Sequence, residues 1–221
     1  MKLHGYWRSS AAWRVRIALN LKGMDWADSP VHLVRDGGEQ RRPGFLRLNP
    51  QGLVPALETA DGVLTQSLAI IEYLEETHSA PLLLPADPVG RARVRGLAQL
   101  VASDIHPLNN LRVLQYLRDS LGIDDARRDA WYRHWVMEGL RALETRLAGE
   151  AATGVFCHGD TPGLADCCLV PQLYNARRYQ CPLDGFPTLL RIDAACGERE
   201  AFRRAHPDSQ PDAPGQATPP A

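Results

Sequence analysis

The segment Tyr6–Leu19 has the sequence YWRSSAAWRVRIAL, and it decides the fold of the chain. It follows a predicted strand over Lys2–Tyr6, and Ser9 and Ser10 then open an amphipathic helix that ends at Gly23. Serine is a favoured helix cap, and the N–H groups and dipole at a helix start attract anions. The segment therefore predicts a strand, a tight turn and a helix whose N-terminus suits a thiolate or carboxylate. A plain serine cap on a surface helix is the alternative.

Three further strands are predicted, at Ser29–Val34, Ala56–Thr59 and Val63–Thr65. The last two form a hairpin around Asp61-Gly62, which favours a two-residue turn. Gln66 and Ser67 then open a second amphipathic helix. The order of strand, helix, strand, loop with helix, strand, strand and helix is a thioredoxin-like arrangement, in which two helix N-termini can face one cleft.

Pro55 stands at the start of a predicted strand, although proline lacks the N–H that a sheet needs. A cis Val54-Pro55 bond is one interpretation, and it would turn the backbone N–H and C=O of Val54 outward to pair with an extended peptide. An ordinary trans proline at a strand edge is the alternative.

The second half of the chain has only helical patterns. Helices are predicted at Val89–Leu117 with a break near Pro107, at Asp124–Leu147, at Leu164–Tyr179 and at Thr188–Ala205. We therefore expect an α/β, thioredoxin-like domain at 1–80, a proline-containing linker at 81–88 and an all-α helical bundle at 89–206. Residues 207–221 are rich in proline and small polar residues, and we expect them to be extended or disordered.

Composition and charge exclude several classes of function. Lys and Arg total 25 against 26 Asp and Glu, a formal net charge of −1, so no global field recruits nucleic acid or a membrane. The N-terminus lacks the features of a signal peptide, and no stretch approaches the roughly 18 apolar residues of a membrane span. We expect a soluble, cytoplasmic protein.

The cysteines are odd in number and show neither a C-x-x-C pair nor a zinc-like spacing. We expect reduced, mostly buried thiols and no metal site. The five residues are Cys157, Cys167, Cys168, Cys181 and Cys196.

Several motifs in order resemble the zeta class of glutathione transferases, over all of the chain except the tail. They are RSSAAWRVRIAL at 8–19, Asn49-Pro50 with Val54-Pro55, QSLAIIEYL at 66–74, LLP at 83–85, and Gly159-Asp160 with Ala165-Asp166. The class includes maleylacetoacetate isomerase and maleylpyruvate isomerases, which use glutathione without consuming it. The resemblance thus implies a glutathione transferase fold, reduced glutathione as cofactor, and a homodimer.

Isomerising a maleyl double bond requires a temporary loss of its double-bond character. A thiolate that adds to the alkene and later leaves permits rotation about a single bond, which is nucleophilic catalysis by a cofactor. The site must therefore lower a thiol pKa, hold the cofactor and neutralise carboxylates. For the first task the resemblance indicates Ser9 as the activating hydroxyl, with Ser10 as second choice.

The resemblance implies glutathione contacts at Ser9, Gln40, Gln51, Val54, Gln66 and Ser67. Val54 would pair with the cysteinyl backbone, and Gln66 with Ser67 would receive the γ-glutamyl carboxylate. His106 and Asn110 are interpreted as further cofactor ligands. Relatives often carry glutamine at the position of His106, so we do not expect it to act as an acid or base.

Three arginines are expected to bind the carboxylates of the substrate, because a guanidinium grips a carboxylate with two parallel bonds. They are Arg8, which adjoins the thiol site and is also assigned to catalysis, Arg112 and Arg178. Arg14, by contrast, is expected to be a solvated surface charge.

Two positions depart from the family pattern. Ala11 replaces the cysteine that follows the two serines, so no protein thiol is expected to act there. Gly163 replaces a capping Thr or Ser, so Asp166 must brace its helix with less help.

The leading interpretation is a maleylacetoacetate isomerase of tyrosine or phenylalanine breakdown. A maleylpyruvate isomerase of aromatic-acid breakdown through gentisate fits nearly as well. A transferase that conjugates electrophiles or dehalogenates α-haloacids would not need three convergent arginines. A non-enzymatic interaction module would be expected to have a degraded serine turn or Gln66-Ser67 site, and both are intact.

Overall fold

The computed structural model describes residues 1–78 and 80–215, which form two compact units. The first unit comprises Met1–Leu83 together with the described residues from Glu198 onward, and the second is Leu84–Gly197. The units differ from the predicted domains 1–80 and 89–206, because the segment that starts at Glu198 groups with the N-terminal part of the chain. Independent folding of the two predicted domains stays a prediction.

The first unit contains a four-stranded sheet in the order β2-β1-β3-β4. The strands are β1 (Lys2–Gly5), β2 (Ala27–Pro30), β3 (Ala56–Thr59) and β4 (Gly62–Thr65). β1 is parallel to β2 and antiparallel to β3, with Leu3 opposite Leu57, and β4 pairs antiparallel with β3. The thioredoxin-like fold is confirmed.

Strand β2 ends four residues before the predicted end at Val34. Its partner β1 itself ends at Gly5, whose carbonyl accepts the Val31 N–H at 2.7 Å. On the other side of the chain, the His32 N–H donates to the Glu39 Oε2 at 2.7 Å. A polar loop with two short 3₁₀ turns, Arg35–Gly37 and Glu39–Arg41, follows.

Side chains alternate between the two faces of β1. A Cβ placed on Gly5 would lie 3.3 Å from the Cβ of Ala12, so this face of the strand meets helix α1 (Ser10–Leu21) closely. On the opposite face Tyr6 clusters with Phe45 of helix α2 (Pro43–Leu48). Helix α3 (Ser67–Thr77) packs beside α1.

The second unit is a helical bundle, as predicted. Its helices are α4 (Pro88–Gln99), α5 (Leu111–Asp119), α6 (Asp125–Gly149), α7 (Leu164–Arg178) and α8 (Pro187–Gly197). A π-helical segment, Leu100–Ile105, and a 3₁₀ turn, Pro107–Asn109, form the predicted break between α4 and α5. A Cβ on Gly139 of α6 would overlap the side chain of Ile105, so α6 approaches the π segment closely.

Helix α7 lies at the centre of this bundle, packed on α4 and α8. Asp166 holds its N-terminus, because Oδ2 accepts the Gly163 N–H at 2.8 Å and Oδ1 accepts the Cys157 N–H at 2.9 Å. Burial raises the pKa of Asp166, while these two N–H groups oppose that rise. The carboxylate thus braces the helix although Gly163 supplies no capping side chain. All five cysteines are reduced and buried, as expected.

The single helix predicted over Thr188–Ala205 is wrong. Arg199 is extended, with φ −89° and ψ 129°, and separates α8 from α9 (Glu200–Ala205), which packs on α1. A 3₁₀ turn, Pro207–Ser209, follows, and Gln210 and Ala213 beyond it are buried. Within the expected extended or disordered tail, the described residues 207–215 thus contain a short turn and buried side chains, and 216–221 lie outside the described residues.

Candidate functional site

The turn before α1 presents Ser9 at the start of the helix. The Ser9 N–H donates to the Tyr6 carbonyl at 2.9 Å, and the Ser9 Oγ accepts the Ala12 N–H at 3.2 Å. A hydroxyl that accepts with a lone pair keeps its own proton for another partner. Ser9 is half-buried, whereas Ser10 is only 5% exposed. The geometry therefore favours Ser9 over Ser10 as the hydroxyl that can meet a bound sulfur.

Arg8 lies in the same turn, and its guanidinium carbon is 5.3 Å from the centroid of the Trp7 ring. This cation–π contact orients a half-buried side chain without removing its N–H donors from use. The turn thus carries a hydroxyl and a cation on adjacent residues.

The N-terminus of α3 has several features of a carboxylate site. Among the described residues no side chain caps this helix, and Gln66 at its start has a φ of +68°, a conformation that non-glycine residues adopt mainly at functional sites. The Gln66 Nε2 donates to the Gln51 Oε1 at 2.8 Å, which brings two predicted glutathione contacts together. These features leave helix N–H groups for an anion.

Arg14 lies beneath this helix start. Its guanidinium is buried, with 2% exposure, and its Nη1 donates to the Ser67 Oγ at 3.2 Å. The expectation that Arg14 is a solvated surface charge is wrong, because α1 packs against α3 on that side. A buried positive charge therefore stands behind the hydroxyl of Ser67.

The loop before β3 is fixed by Asn49, whose Oδ1 accepts the Gln51 N–H and whose Nδ2 donates to the Leu53 carbonyl. The Val54-Pro55 bond is cis, which confirms the cis interpretation over a trans proline. Gln40 is buried, and its Nε2 donates to the Leu33 carbonyl at 3.2 Å. The Oε1 of Gln40 has no hydrogen-bond partner within residues 1–78 and 80–215.

The remaining predicted residues belong to the second unit. His106 is half-buried at the end of the π segment, where its backbone N–H donates to the Val101 carbonyl at 2.9 Å. The Oδ1 of Asn110 caps α5 by accepting the Arg112 N–H at 3.1 Å, so this residue has a structural task as well as its predicted one. The side chain of Arg112 is exposed in the first turn of α5.

Arg178 is exposed at the end of α7. Its Nη1 lies 3.4 Å from the Oδ1 of buried Asn175, and its guanidinium carbon lies 5.8 Å from the Tyr179 ring centroid. Both contacts orient the guanidinium, and the roles of all these residues toward a ligand stay predictions.

In the described part of the chain no group of three or more His, Cys, Asp or Glu side chains could hold a metal ion. No helix in the same part of the chain is both long enough and apolar enough to span a membrane.

Comparisons with known proteins bear on the family. The sequence matches the family models for the glutathione S-transferase N-terminal domain at residues 8–77 and C-terminal domain at 125–208. It is 53% identical over 215 residues to the maleylacetoacetate isomerase of Pseudomonas aeruginosa, covering 97% of this chain and 99% of the relative. The holo structure of a maleyl pyruvate isomerase, described as a bacterial zeta-class glutathione S-transferase, has 52% identity and a TM-score of 0.93 over 96% of this chain and 100% of its own. The chain belongs to the zeta class of the glutathione S-transferase family.

One further zeta-class comparison shows what a relative binds. The maleylacetoacetate isomerase of Anaeromyxobacter dehalogenans 2CP-1 has been solved with dicarboxyethyl glutathione and citrate in its active site. It is 46% identical to this chain with a TM-score of 0.85, covering 97% of this chain and 94% of its own. The same relative has also been solved with glutathione in that site.

Sequence reasoning missed the placement of two side chains, Arg14 and Asp212, beside the predicted site residues. Arg14 could have been found from the WRVR pattern, because arginines two positions apart on a helix with a wide apolar face point to different neighbours. Asp212 accepts the Trp7 N–H at 2.9 Å across a separation of 205 residues, and no local pattern signals such a contact.

Proposed function

We propose that this zeta-class protein is a glutathione-dependent cis–trans isomerase that converts maleylacetoacetate to fumarylacetoacetate. Identity of 53% to a maleylacetoacetate isomerase over nearly the whole length of both chains carries the proposal. Maleylpyruvate is the alternative substrate, because a relative of 52% identity is named for it. The proposal places the reaction in tyrosine and phenylalanine breakdown, and the alternative places it in gentisate breakdown.

The first unit fits glutathione as the cofactor. The start of α3 offers helix N–H groups and the Ser67 hydroxyl to a carboxylate, with the charge of Arg14 behind them. Gln51 and Gln66 already contact each other at this end, and the buried Oε1 of Gln40 is an acceptor still to be satisfied. We assign the γ-glutamyl carboxylate to Gln66 and Ser67, and the cysteinyl backbone to Val54.

Bound glutathione supplies the thiolate that adds reversibly to the maleyl double bond, so that rotation occurs about a single bond. The Ser9 hydroxyl donates a hydrogen bond to the sulfur, since its oxygen accepts the Ala12 N–H and its own O–H is left for another partner. The N-terminus of α1 adds the favourable end of its dipole, and both effects lower the pKa of a thiol placed there. The dicarboxyethyl group on the glutathione bound by the Anaeromyxobacter relative is what thiol addition to the double bond of a butenedioate gives, and this related addition supports the chemistry.

We assign the substrate carboxylates and the charge that develops on the keto oxygen to Arg8, Arg112 and Arg178. Arg8 adjoins Ser9 and is oriented by Trp7, and Arg178 is oriented by Asn175 and Tyr179. Such charge-assisted contacts are stronger in an active site shielded from water than in solution. His106 and Asn110 are proposed as further glutathione contacts.

The test is turnover of maleylpyruvate and of maleylacetone, a stable substitute for maleylacetoacetate, followed in the ultraviolet with and without glutathione. The proposal expects glutathione-dependent loss of both cis compounds, with higher kcat/KM for maleylacetone. Higher kcat/KM for maleylpyruvate selects the alternative. If neither compound turns over while glutathione is consumed by a haloacid or an aromatic electrophile, the chain is a conjugating transferase and the proposal fails.

A matched pair of variants on one helix tests the cation assignment. Arg112→Gln is expected to raise KM for the maleyl substrate about tenfold, from the loss of a charge-assisted bond. Arg118→Gln removes the same charge from α5, where Arg118 pairs with Asp119, and is expected to leave KM unchanged. Equal KM values in the two variants would remove Arg112 from the site.

We further infer that the protein is a cytoplasmic homodimer. Family resemblance supports the dimer. Five buried cysteines that form no disulfide are consistent with an interior compartment, and the formal charge of −1 is consistent with no nucleic-acid partner. Light scattering at micromolar concentration tests the dimer, and a monomeric mass would contradict it. Cell fractionation tests the compartment, and recovery outside the cytoplasm would contradict it.

A further inference from the structure

The C-terminal segment Ala205–Ala213 lies against the turn that carries Arg8 and Ser9. The Oδ2 of Asp212 accepts the Trp7 N–H at 2.9 Å. Trp7 immediately precedes Arg8, so a side chain of the tail contacts the backbone of the turn two residues before Ser9.

The other side of Trp7 is held by Arg16. This residue is 3% exposed, and its Nη2 donates to the Trp7 carbonyl at 2.8 Å. Its Nη1 donates to the Tyr6 carbonyl at 3.4 Å and its Nε to the Ala205 carbonyl at 3.3 Å. One buried guanidinium therefore joins the turn to the start of the C-terminal segment.

Asp212 and Arg16 also support each other electrostatically. Burial lowers the pKa of Arg16 to about 10, and the charges of Asp212 and Asp28 oppose that change. Burial raises the pKa of Asp212, and the Trp7 N–H and Arg16 oppose that rise. The carboxylate is thus held by the Trp7 N–H and favoured by the charge of Arg16.

The segment itself is built to hold this position. Gln210 is buried, and its Nε2 donates to the carbonyls of Arg204 at 2.9 Å and His206 at 2.8 Å. The ring of His206 meets Trp13 of α1 edge to face at 5.3 Å. These contacts fix the chain on both sides of Pro207 and bring Asp212 back to the turn.

We propose that Asp212 is a positioning residue for the reaction, which fixes the Trp7–Ser9 turn from the C-terminal segment so that the Ser9 hydroxyl meets the sulfur of bound glutathione. The carboxylate fixes the N–H of Trp7 while Arg16 fixes its C=O, so the backbone of Trp7 is held on both sides of its Cα. The inference rests on the proposed function for its effect on rate, whereas the clamp on the turn is independent of it.

The test compares Asp212→Ala and Asp212→Asn with Asp208→Ala, which removes the same charge from an exposed position in the same segment. Asp212→Ala is expected to speed hydrogen exchange of the Trp7–Ser9 amides, to lower kcat about threefold and to leave KM for glutathione within about twofold, because the α3 end of the site is untouched. Asp212→Asn keeps an acceptor oxygen and is expected to recover most of both losses. Asp208→Ala is expected to match the parent protein.

If the Trp7–Ser9 amides exchange as slowly in Asp212→Ala as in Asp208→Ala, Asp212 does not clamp the turn. A kcat of Asp212→Ala equal to that of the parent protein would overturn the role in positioning. So would a kcat that falls as far in Asp212→Asn as in Asp212→Ala. The exchange measurement needs no turnover. If the parent protein isomerises neither maleyl compound, the proposed function alone fails, and the exchange data still decide the clamp.

Discussion

Replacing Ser9 by alanine removes one interaction that the structure shows and one that the proposed function requires. The first is the helix cap, in which Ser9 Oγ accepts the Ala12 N–H at 3.2 Å. Loss of such a cap costs about 1 kcal/mol of the free energy of unfolding, which corresponds to a fall in Tm of roughly 2–4 °C for a chain of this size. The second is the hydrogen bond to the sulfur of glutathione.

The effect on the thiol follows from the strength of that second bond. A hydrogen bond to a charged group contributes about 1.5–3 kcal/mol, so its loss raises the pKa of bound glutathione by about 1–2 units. The thiolate fraction at neutral pH then falls about 10- to 100-fold. A thiolate of higher pKa is also a better nucleophile, with a Brønsted coefficient of about 0.4–0.5, so the net loss in kcat is about 3- to 10-fold.

Two companion variants separate the cap from the thiol. Ser9→Gly removes the hydroxyl, but glycine at this position costs only about a few tenths of a kcal/mol in capping. It is expected to show the shifted thiol with nearly the Tm of the parent protein. Ser9→Thr keeps a hydroxyl and is expected to behave like the parent protein in both respects.

Ultraviolet titration of the thiolate absorbance, with glutathione bound to each variant, measures the pKa directly, and thermal unfolding measures the cap. If Ser9→Ala lowers Tm as expected but leaves the pKa of bound glutathione where the parent protein has it, Ser9 is only a cap. That result would refute the assigned role.

Three further perturbations follow from the geometry. Arg14→Met removes the charge behind Ser67 and is expected to weaken glutathione binding about tenfold by calorimetry; unchanged affinity would show that the helix N-terminus suffices. Lys22→Met leaves Glu75, whose side chain is 3% exposed, without the ammonium 2.9 Å away, and guanidinium denaturation should show a loss of about 3–5 kcal/mol. A loss below about 1 kcal/mol would contradict a buried ion pair there. Glu150 is partly buried, which raises its pKa, but hydrogen bonds from Arg146 and Arg93 outweigh burial and lower it. Its contribution of about 0.5–1 kcal/mol is therefore present above the unfolded-state pKa of about 4.3 and lost as pH falls through the lower folded-state value. The stability difference between the parent protein and Glu150→Gln should vanish in acid, and a difference that persists there would contradict this sign.

Much of the fold was predictable because local signals coincide with tertiary ones. The serine pair at the start of α1, the glycine at its end and the Asp61-Gly62 hairpin each fix a local conformation, and together they place β1, α1, β3 and β4. The end of β2 was not predictable from its own residues, because it coincides with the end of its partner β1 at Gly5.

The candidate site divides in the same way. Ser9, Gln66 and Ser67 follow from helix starts, which short motifs reveal. The burial of Arg14 and the contact of Asp212 with Trp7 depend on which elements pack together. Local patterns in one sequence do not reveal which distant elements pack against each other. The proline-rich composition after Ala205 likewise indicated an extended or disordered segment. Its described residues include Gln210, which bonds to the Arg204 and His206 carbonyls, and Asp212, which accepts the distant Trp7 N–H.

The stoichiometry of glutathione tests the central claim most directly. Maleylacetone and maleylpyruvate are each incubated with the protein and with glutathione at about one hundredth of the substrate concentration, and vinyl protons are followed by NMR while thiols are titrated at the end. The account predicts near-complete conversion of at least one substrate to its trans isomer, with the glutathione recovered as free thiol. Conversion that stops when one glutathione has been used for each product molecule would contradict it, because glutathione would then be a substrate and the protein a conjugating transferase.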